Sequence, residues 1–268
     1  MNDAANVNGN TILVLQKALR ILGLFTPEQP EWRSSQISDS VGIPLSTVGR
    51  ILSNLVDGGL LRRDGDVYRV SSGAFRLARA AVEGQSFAKA LGPIVERVRD
   101  ETDETTSFYI QEGATRLCMV VSEAKQLLMR RLWVGHSLPI NAGAPGKVLL
   151  AYSSEARKAL ESVGSVSFTE ATIIDREELE VELDGIAARG YAVSEGEWHA
   201  ELSGVAAPVF GERGLLAGAL GVSVPSIRLT SETRETFIRA VVEGARDASR
   251  LLGYSLEPPP EAFRRQSS

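Results

Sequence analysis

Val48, Ile51, Leu52 and Leu55 fall at i, i+3, i+4 and i+7, a single apolar stripe that predicts one helix with one buried face. Its ends are marked as well. Pro44 suits the first turn, where a missing N–H costs nothing, and Gly58-Gly59 closes the last. Two shorter helical segments precede it. Ile12, Leu15, Leu19 and Leu22 mark one face of a first helix that ends before Thr26-Pro-Glu-Gln-Pro30. In the second, Ser34 and Ser35 are N-cap candidates, Ile37 and Val41 lie four residues apart, and Gly42 can take the left-handed conformation at its end. Two short apolar runs between Leu60 and Val70 then flank Asp64-Gly65, a strong hairpin signal. Three helices followed by a hairpin is the order of a winged helix-turn-helix.

With the stripe packed inward, Ser46, Thr47, Arg50, Ser53 and Asn54 share the outward face. Arginine can fork onto guanine, asparagine onto adenine, and hydroxyls onto phosphate or base edges. Gly49 lies among them without a side chain, so the backbone there can approach a groove closely. The plainer reading of such a face is a solvated one. Charge separates the two only in part: the net charge is −5, yet residues 1–80 hold nine Lys/Arg against seven Asp/Glu, leaving −7 for the remainder. A footprint for phosphate therefore sits at the N-terminus, and Arg33, Arg62, Arg63 and Arg69, in and near the hairpin, are its candidates.

From Ser71 to about Asp100 the pattern is helical, with Phe75, Leu77, Ala78 and Val82 in one run and Leu91, Ile94, Val95 and Val98 in the next. The break at Glu83-Gly-Gln-Ser86 marks a boundary. Beyond it, strand-like runs cover 106–110, 117–121, 127–132, 192–193, 205–210 and 215–224, with helical patterns at 146–152, 155–162, 177–189 and 231–252. The expected class is α+β, a mostly antiparallel sheet with helices on one side. The expected domains are a disordered start (1–9), the winged helix (10–72), a linker helix (73–86), a larger second domain (87–256) and a disordered tail (257–268).

The motifs together resemble one family. Leu15-Gln-Lys-Ala-Leu-Arg-Ile-Leu22, Val41-Gly-Ile-Pro-Leu-Ser-Thr-Val-Gly-Arg-Ile-Leu52 and Tyr68-Arg-Val-Ser-Ser-Gly73 occupy the first part. Leu138-Pro-Ile-Asn-Ala-Gly-Ala-Pro-Gly-Lys-Val-Leu-Leu-Ala151, Arg189-Gly-Tyr-Ala-Val-Ser-Glu-Gly-Glu197 and Gly204-Val-Ala-Ala-Pro-Val209 occupy the second. Over nearly its whole length the chain resembles the IclR family of bacterial transcriptional regulators. The resemblance implies a winged-helix DNA-binding domain, a linker helix and a ligand-sensing domain with a PAS/GAF-like sheet. It also implies homodimers or tetramers on palindromic double-stranded operators, and a small effector, a carboxylate or aromatic acid, that modulates a regulator more often repressor than activator. The family's effector contacts map onto Gly143, Ala144, Ser194, Glu197, Gly204, Gly221 and Ser223. Here Gly49 replaces the usual histidine or aromatic residue, and the segment from Glu197 to Val205 is bulkier and more acidic than usual.

The residues themselves add expectations about that site. Asn141-Ala-Gly-Ala-Pro-Gly146 opens a helix, whose free N–H groups suit a carboxylate. The resemblance adds that Gly204 and Gly221 stand where other family members place larger or polar side chains, which implies a roomy cavity; Met119, Leu132 and Trp133 either line it or are simple core. Lys147 follows a glycine as in a phosphate-binding loop, but Asn141 stands where such a loop needs glycine and Val148 where it needs Ser/Thr, which excludes nucleotide binding.

Catalysis finds little support. His136 and His199 are far apart, and Gly221-Val-Ser-Val-Pro225 lacks the final glycine of a nucleophile elbow. No catalytic residue, metal or cofactor is expected. A helix-turn-helix protein whose second domain only oligomerises is the other reading. The lone Cys118, in an apolar strand, reads as core and forms no internal disulfide. No run approaches a membrane span and no signal peptide stands at the start, so the expected location is cytoplasmic.

Overall fold

A computed structural model describes residues 12–84, 86–124 and 132–255. The expected disordered start and tail, and most of the strand expected at 127–132, lie outside these residues. The chain forms two compact units, residues 1–85 and 86–268.

The first unit runs α1 (Leu13–Leu22), β1 (Glu31–Arg33), α2 (Ser34–Val41), α3 (Leu45–Asp57), β2 (Leu61–Asp64), β3 (Val67–Val70) and α4 (Ser72–Gly84). Its sheet is antiparallel in the order β1-β3-β2. Ile21, Ile37, Val48, Leu52 and Leu61 are fully buried and tie α1, α2, α3 and β2 into one core. Gly42 closes α2 at φ 64°. The hairpin turn is Gly65-Asp66, between the paired Asp64 and Val67, with Gly65 at φ 64°. Positive φ at the first loop residue alone matches the right-handed twist of the strands it joins.

Several local expectations shift. Pro44 precedes α3 as its N-cap, and Arg33, not a serine, precedes α2, where its N–H donates to Gln36 Oε1 at 2.9 Å. The reason is β1, which the sequence patterns miss because three residues are too few for a period; its Trp32 sits opposite Tyr68 and donates from Nε1 to Leu24 O at 2.9 Å. In α1, Ile21 is buried and Ala18 and Leu22 partly so, whereas Ile12, Leu13, Val14, Leu15 and Leu19 are all more than half exposed. Phe75 and Leu77 on α4 are exposed too.

The second unit holds α5 (Ser86–Thr102), β4 (Thr105–Glu112), β5 (Thr115–Ser122), β6 (Ser137–Pro139), α6 (Ala144–Tyr152), α7 (Ser154–Val163), α8 (Arg176–Arg189), β7 (Ala192–His199), β8 (Leu202–Phe210), β9 (Leu216–Pro225) and α9 (Ser231–Leu251). The six strands form one antiparallel sheet in the order β6-β5-β4-β9-β8-β7. Helices cover both faces, not one. Phe108, Val205, Leu220, Val222 and Val224 pack on α5 and α9, while Ala192, Ala206, Phe210 and Ala219 pack with α6, α7 and α8. Residues 203–210 of β8 are accordingly all buried, a continuous run that a strand covered on both faces requires. No helix of the described residues is long and apolar enough to cross a membrane.

Candidate nucleic-acid interface and ligand-sensing site

On α3 the core takes Val48, Ile51 and Leu52, which leaves Ser46, Arg50, Ser53 and Asn54 exposed and Thr47 half-buried. Among the described residues Arg50 has no side-chain hydrogen bond or ion pair, so its five donors are open. Asn54 is less free: its Nδ2 donates to Arg50 O one turn back at 2.7 Å. A Cβ added at Gly49 would meet nothing within 4 Å, so packing does not demand that glycine.

The wing arginines divide sharply. Arg69 is clamped between strands, Nη2 to Glu31 Oε1 at 2.6 Å and Nη1 to Asp64 Oδ2 at 3.2 Å. Arg33 Nε meets Asp66 Oδ2 at 2.7 Å, and the Arg33 guanidinium holds the Asp66 carboxyl below its usual range. Arg63 bonds Gly65 O at 2.8 Å and lies over the Tyr68 ring. Arg62 is exposed and uncommitted among the described residues. Of the four expected phosphate contacts, Arg33 and Arg69 are engaged in the fold's own ion pairs, because the turn, β2 and β1 carry the acids that face them, and Arg62 is not.

In the second unit, register gathers the polar candidates. Ser194 pairs with Gly204, Gly204 with Ser223 and Ser223 with Thr105, one row across four strands. Directly opposed residues share a face. That face is the α6 side, since a Cβ at Gly221, two residues before Ser223, would stand 3.1 Å from Pro145 Cγ. Gly143 and Ala144 start α6 above the row, both buried. Leu132 packs with Tyr109, Cys118 and Leu138, and Trp133 stacks on His136 at 3.8 Å.

Three expectations fail here. Met119 packs with the α5/α9 core on the other side of the sheet, because side chains alternate along β5 and its neighbour Cys118 faces Tyr109 and Leu138. Gly204 and Gly221 do not enlarge a cavity. A Cβ at Gly204 would lie 2.8 Å from Val222 O, and at Gly221 it would meet Val205 O, Ala206 and Pro145, so these glycines let backbone and α6 close in. Nor is the helix N-terminus vacant. Glu197 Oε2 accepts from Gly143 N at 3.2 Å, and its Oε1 meets Lys147 Nζ at 2.6 Å.

Lys147 is the centre of a buried charge cluster. Only 2% exposed, it also reaches Glu182 Oε1 and Val193 O, each at 2.9 Å. Burial works to raise the Glu182 pKa, but the hydrogen bond and charge of Lys147, with Arg189, outweigh it and hold the carboxyl low. Arg116, buried alongside, donates from Nη1 to Pro139 O and to Ala142 O, and burial lowers its pKa. Burial pushes the Tyr109 hydroxyl and the Cys118 thiol each up to about 12. A lysine inside the apolar run Gly146-Lys-Val-Leu-Leu-Ala151 was the sequence signal for this cluster, since a buried lysine needs a partner. Arg116 gave no comparable sign.

Known proteins carry the same two-part plan. A family model for the IclR helix-turn-helix domain matches residues 14–65, and one for the bacterial transcriptional regulator IclR C-terminal domain matches residues 79–250. The chain belongs to the IclR family. Its members here are transcriptional regulators, not enzymes. Among curated IclR relatives, the HTH-type transcriptional repressor AllR of Klebsiella pneumoniae is 28% identical over 244 residues, 89% of each chain. An IclR transcriptional regulator from Silicibacter sp. superposes with TM-score 0.77 at 24% identity, over 92% of this chain and 98% of that one. An IclR homologue from Microbacterium hydrocarbonoxydans, solved with 4-hydroxybenzoate, gives TM-score 0.71 at 24% identity, over 88% and 99%.

Proposed function

We propose that this IclR protein binds a palindromic operator as a homodimer or tetramer, represses a catabolic operon, and answers to a small organic or aromatic acid in its second unit. The observation that carries the DNA half is α3, which buries Val48, Ile51 and Leu52 while holding Arg50 exposed, and unpaired among the described residues, beside Ser46 and Ser53. Arg50 reads a base and Arg62 holds a phosphate. The exposed apolar face of α1 supports pairing of two chains, since five neighbouring apolar side chains left in water invite a partner. Repression follows the AllR relative.

On the ligand side, the row of Ser194, Gly204 and Ser223 beneath α6 supports an effector site, and the 4-hydroxybenzoate complex of the Microbacterium homologue supports an aromatic acid. Glu197 holds the Gly143 N–H, so an incoming carboxylate competes with it. An effector shifts DNA affinity only by its preference between two arrangements of the protein.

The test is fluorescence anisotropy on DNA from beside the gene, against random DNA, at two salt concentrations. Arg50→Ala should lose about 1–3 kcal/mol on the specific site and little on random DNA. Equal loss on both would remove Arg50 from base reading, and no preference of the wild type for its flanking DNA would defeat the regulator proposal.

A further inference from the structure

A cavity of about 930 Å³ opens in the second unit, apart from the row of Ser194, Gly204 and Ser223. Strand register makes it. β7 meets β8 only as far as Ala192 opposite Ala206, so Ala207 to Phe210 run past the edge strand with β9 on one side and no β7 partner on the other. The chain blunts this edge itself. Pro208 has no N–H to offer, and the Phe210 N–H donates to Ser249 Oγ at 3.0 Å. A peptide strand therefore finds few donors there, while the space remains.

The cavity's lining is chemically uneven. Tyr152, Phe210 and Tyr254 form an aromatic wall with ring centroids 5.5 and 5.4 Å apart, and the floor is Ala207, Pro208 and Ala245. Arg189, Arg246 and Arg250 stand around it, and among the described residues no acidic side chain lines it. Arg189 is tied to Glu182 and Arg250 to Asp247, both within 3.0 Å. Arg246 is exposed and makes no ion pair among the described residues.

We infer that this groove is a second ligand site, for a rigid two-ring aromatic carboxylate. The rings lie along the Tyr152, Phe210 and Tyr254 wall, and the carboxylate takes the planar fork of Arg246. The length of the wall favours two rings, since three rings with centroids 5.5 and 5.4 Å apart offer more aromatic face than a single ring covers. The groove is also wired to the first site. Arg189 Nη2 meets Glu182 Oε1 at 3.0 Å, Glu182 meets Lys147 at 2.9 Å, Lys147 meets Glu197 at 2.6 Å, and Glu197 holds Gly143 at the start of α6. An anion at the groove alters the field on that chain of charges.

Calorimetric titration of the full chain with 2-naphthoate tests the assignment, with 2-naphthol as the uncharged ring control. Saturable binding of naphthoate is expected, with naphthol at least tenfold weaker. Arg246→Glu should weaken naphthoate at least tenfold, and Ala188→Trp, from an exposed lining position, should abolish binding by filling the groove. Both sites are exposed, so circular dichroism should show both variants folded. The inference is overturned if naphthoate does not saturate at millimolar concentration, if both variants bind it normally, or if Ser223→Trp beneath α6 abolishes binding instead. None of these results bears on DNA recognition, which is measured separately.

Discussion

Replacing Gly49 by alanine pushes folding and DNA reading in opposite directions. Gly49 sits mid-helix in α3, and a Cβ there meets nothing within 4 Å. A mid-helix glycine costs about 0.8–1.0 kcal/mol relative to alanine, chiefly through the freedom it restores to the unfolded chain. The variant should therefore be more stable by about 1 kcal/mol. With an unfolding entropy of roughly 2.1 cal/mol/K per residue, a unit spanning residues 1–85 should melt about 5–6 °C higher. On DNA the same methyl group stands between Ser46 and Ser53, three and four residues away, on the face proposed to meet base edges. Holding that face off by a methyl should cost specific binding tenfold or more, about 1.4 kcal/mol. Hydrogen exchange of the α2 and α3 peptides reads the first quantity and anisotropy on operator DNA the second. A variant that is stabilised yet binds its operator at full strength would place Gly49 away from the DNA. One that is destabilised would show that space beside α3 is not open.

Further outcomes follow from the contacts of five other residues. Arg62→Ala should lower the slope of log affinity against log salt by about 1 on any DNA, whereas Arg69→Ala should loosen the wing sheet, seen as faster amide exchange in β3. Lys147→Ala strands the buried Glu197, while Glu182 keeps Arg189, and should cost roughly 3–5 kcal/mol in chemical denaturation; a cost under 1 kcal/mol would mean the Lys147–Glu197 pair is hydrated. Glu104 is buried beside Arg228, and burial raises its pKa to about 7 from 4.5. The folded state then holds this proton more tightly than the unfolded one, so its stabilising contribution is complete below pH 4.5 and is lost as pH rises to about 7. Glu104→Gln should narrow the gap between denaturation midpoints at pH 5 and pH 8; an unchanged gap would rule Glu104 out as its source. Cys118, fully buried and with its thiol pushed to about 12, should react with a thiol reagent only after denaturant is added.

Much of the first unit was legible because its signals are local. The 48/51/52/55 stripe, Gly42 at the end of α2 and Asp64-Gly65 at the hairpin each act within a few residues, and the elements form where those signals lie. β1 escaped notice because its three residues form a strand only through pairing with β3. The helices on both faces of the large sheet were foreshadowed only by the unbroken apolar run in β8, which does not by itself say what lies on either side.

The sequence by itself determined the order of elements, the outward face of α3 and the polar residues of the second unit, since spacing along a helix or strand decides which side chains share a face. Tertiary structure alone decided which of those groups are free. Arg33 meets Asp66 across 33 residues of chain, and Glu197 meets Gly143 across 54. An ion pair forms wherever folding brings opposite charges within reach, so no local pattern could say that Arg62 stays open while Arg69 is clamped, or that a carboxylate of the protein itself already sits at the start of α6.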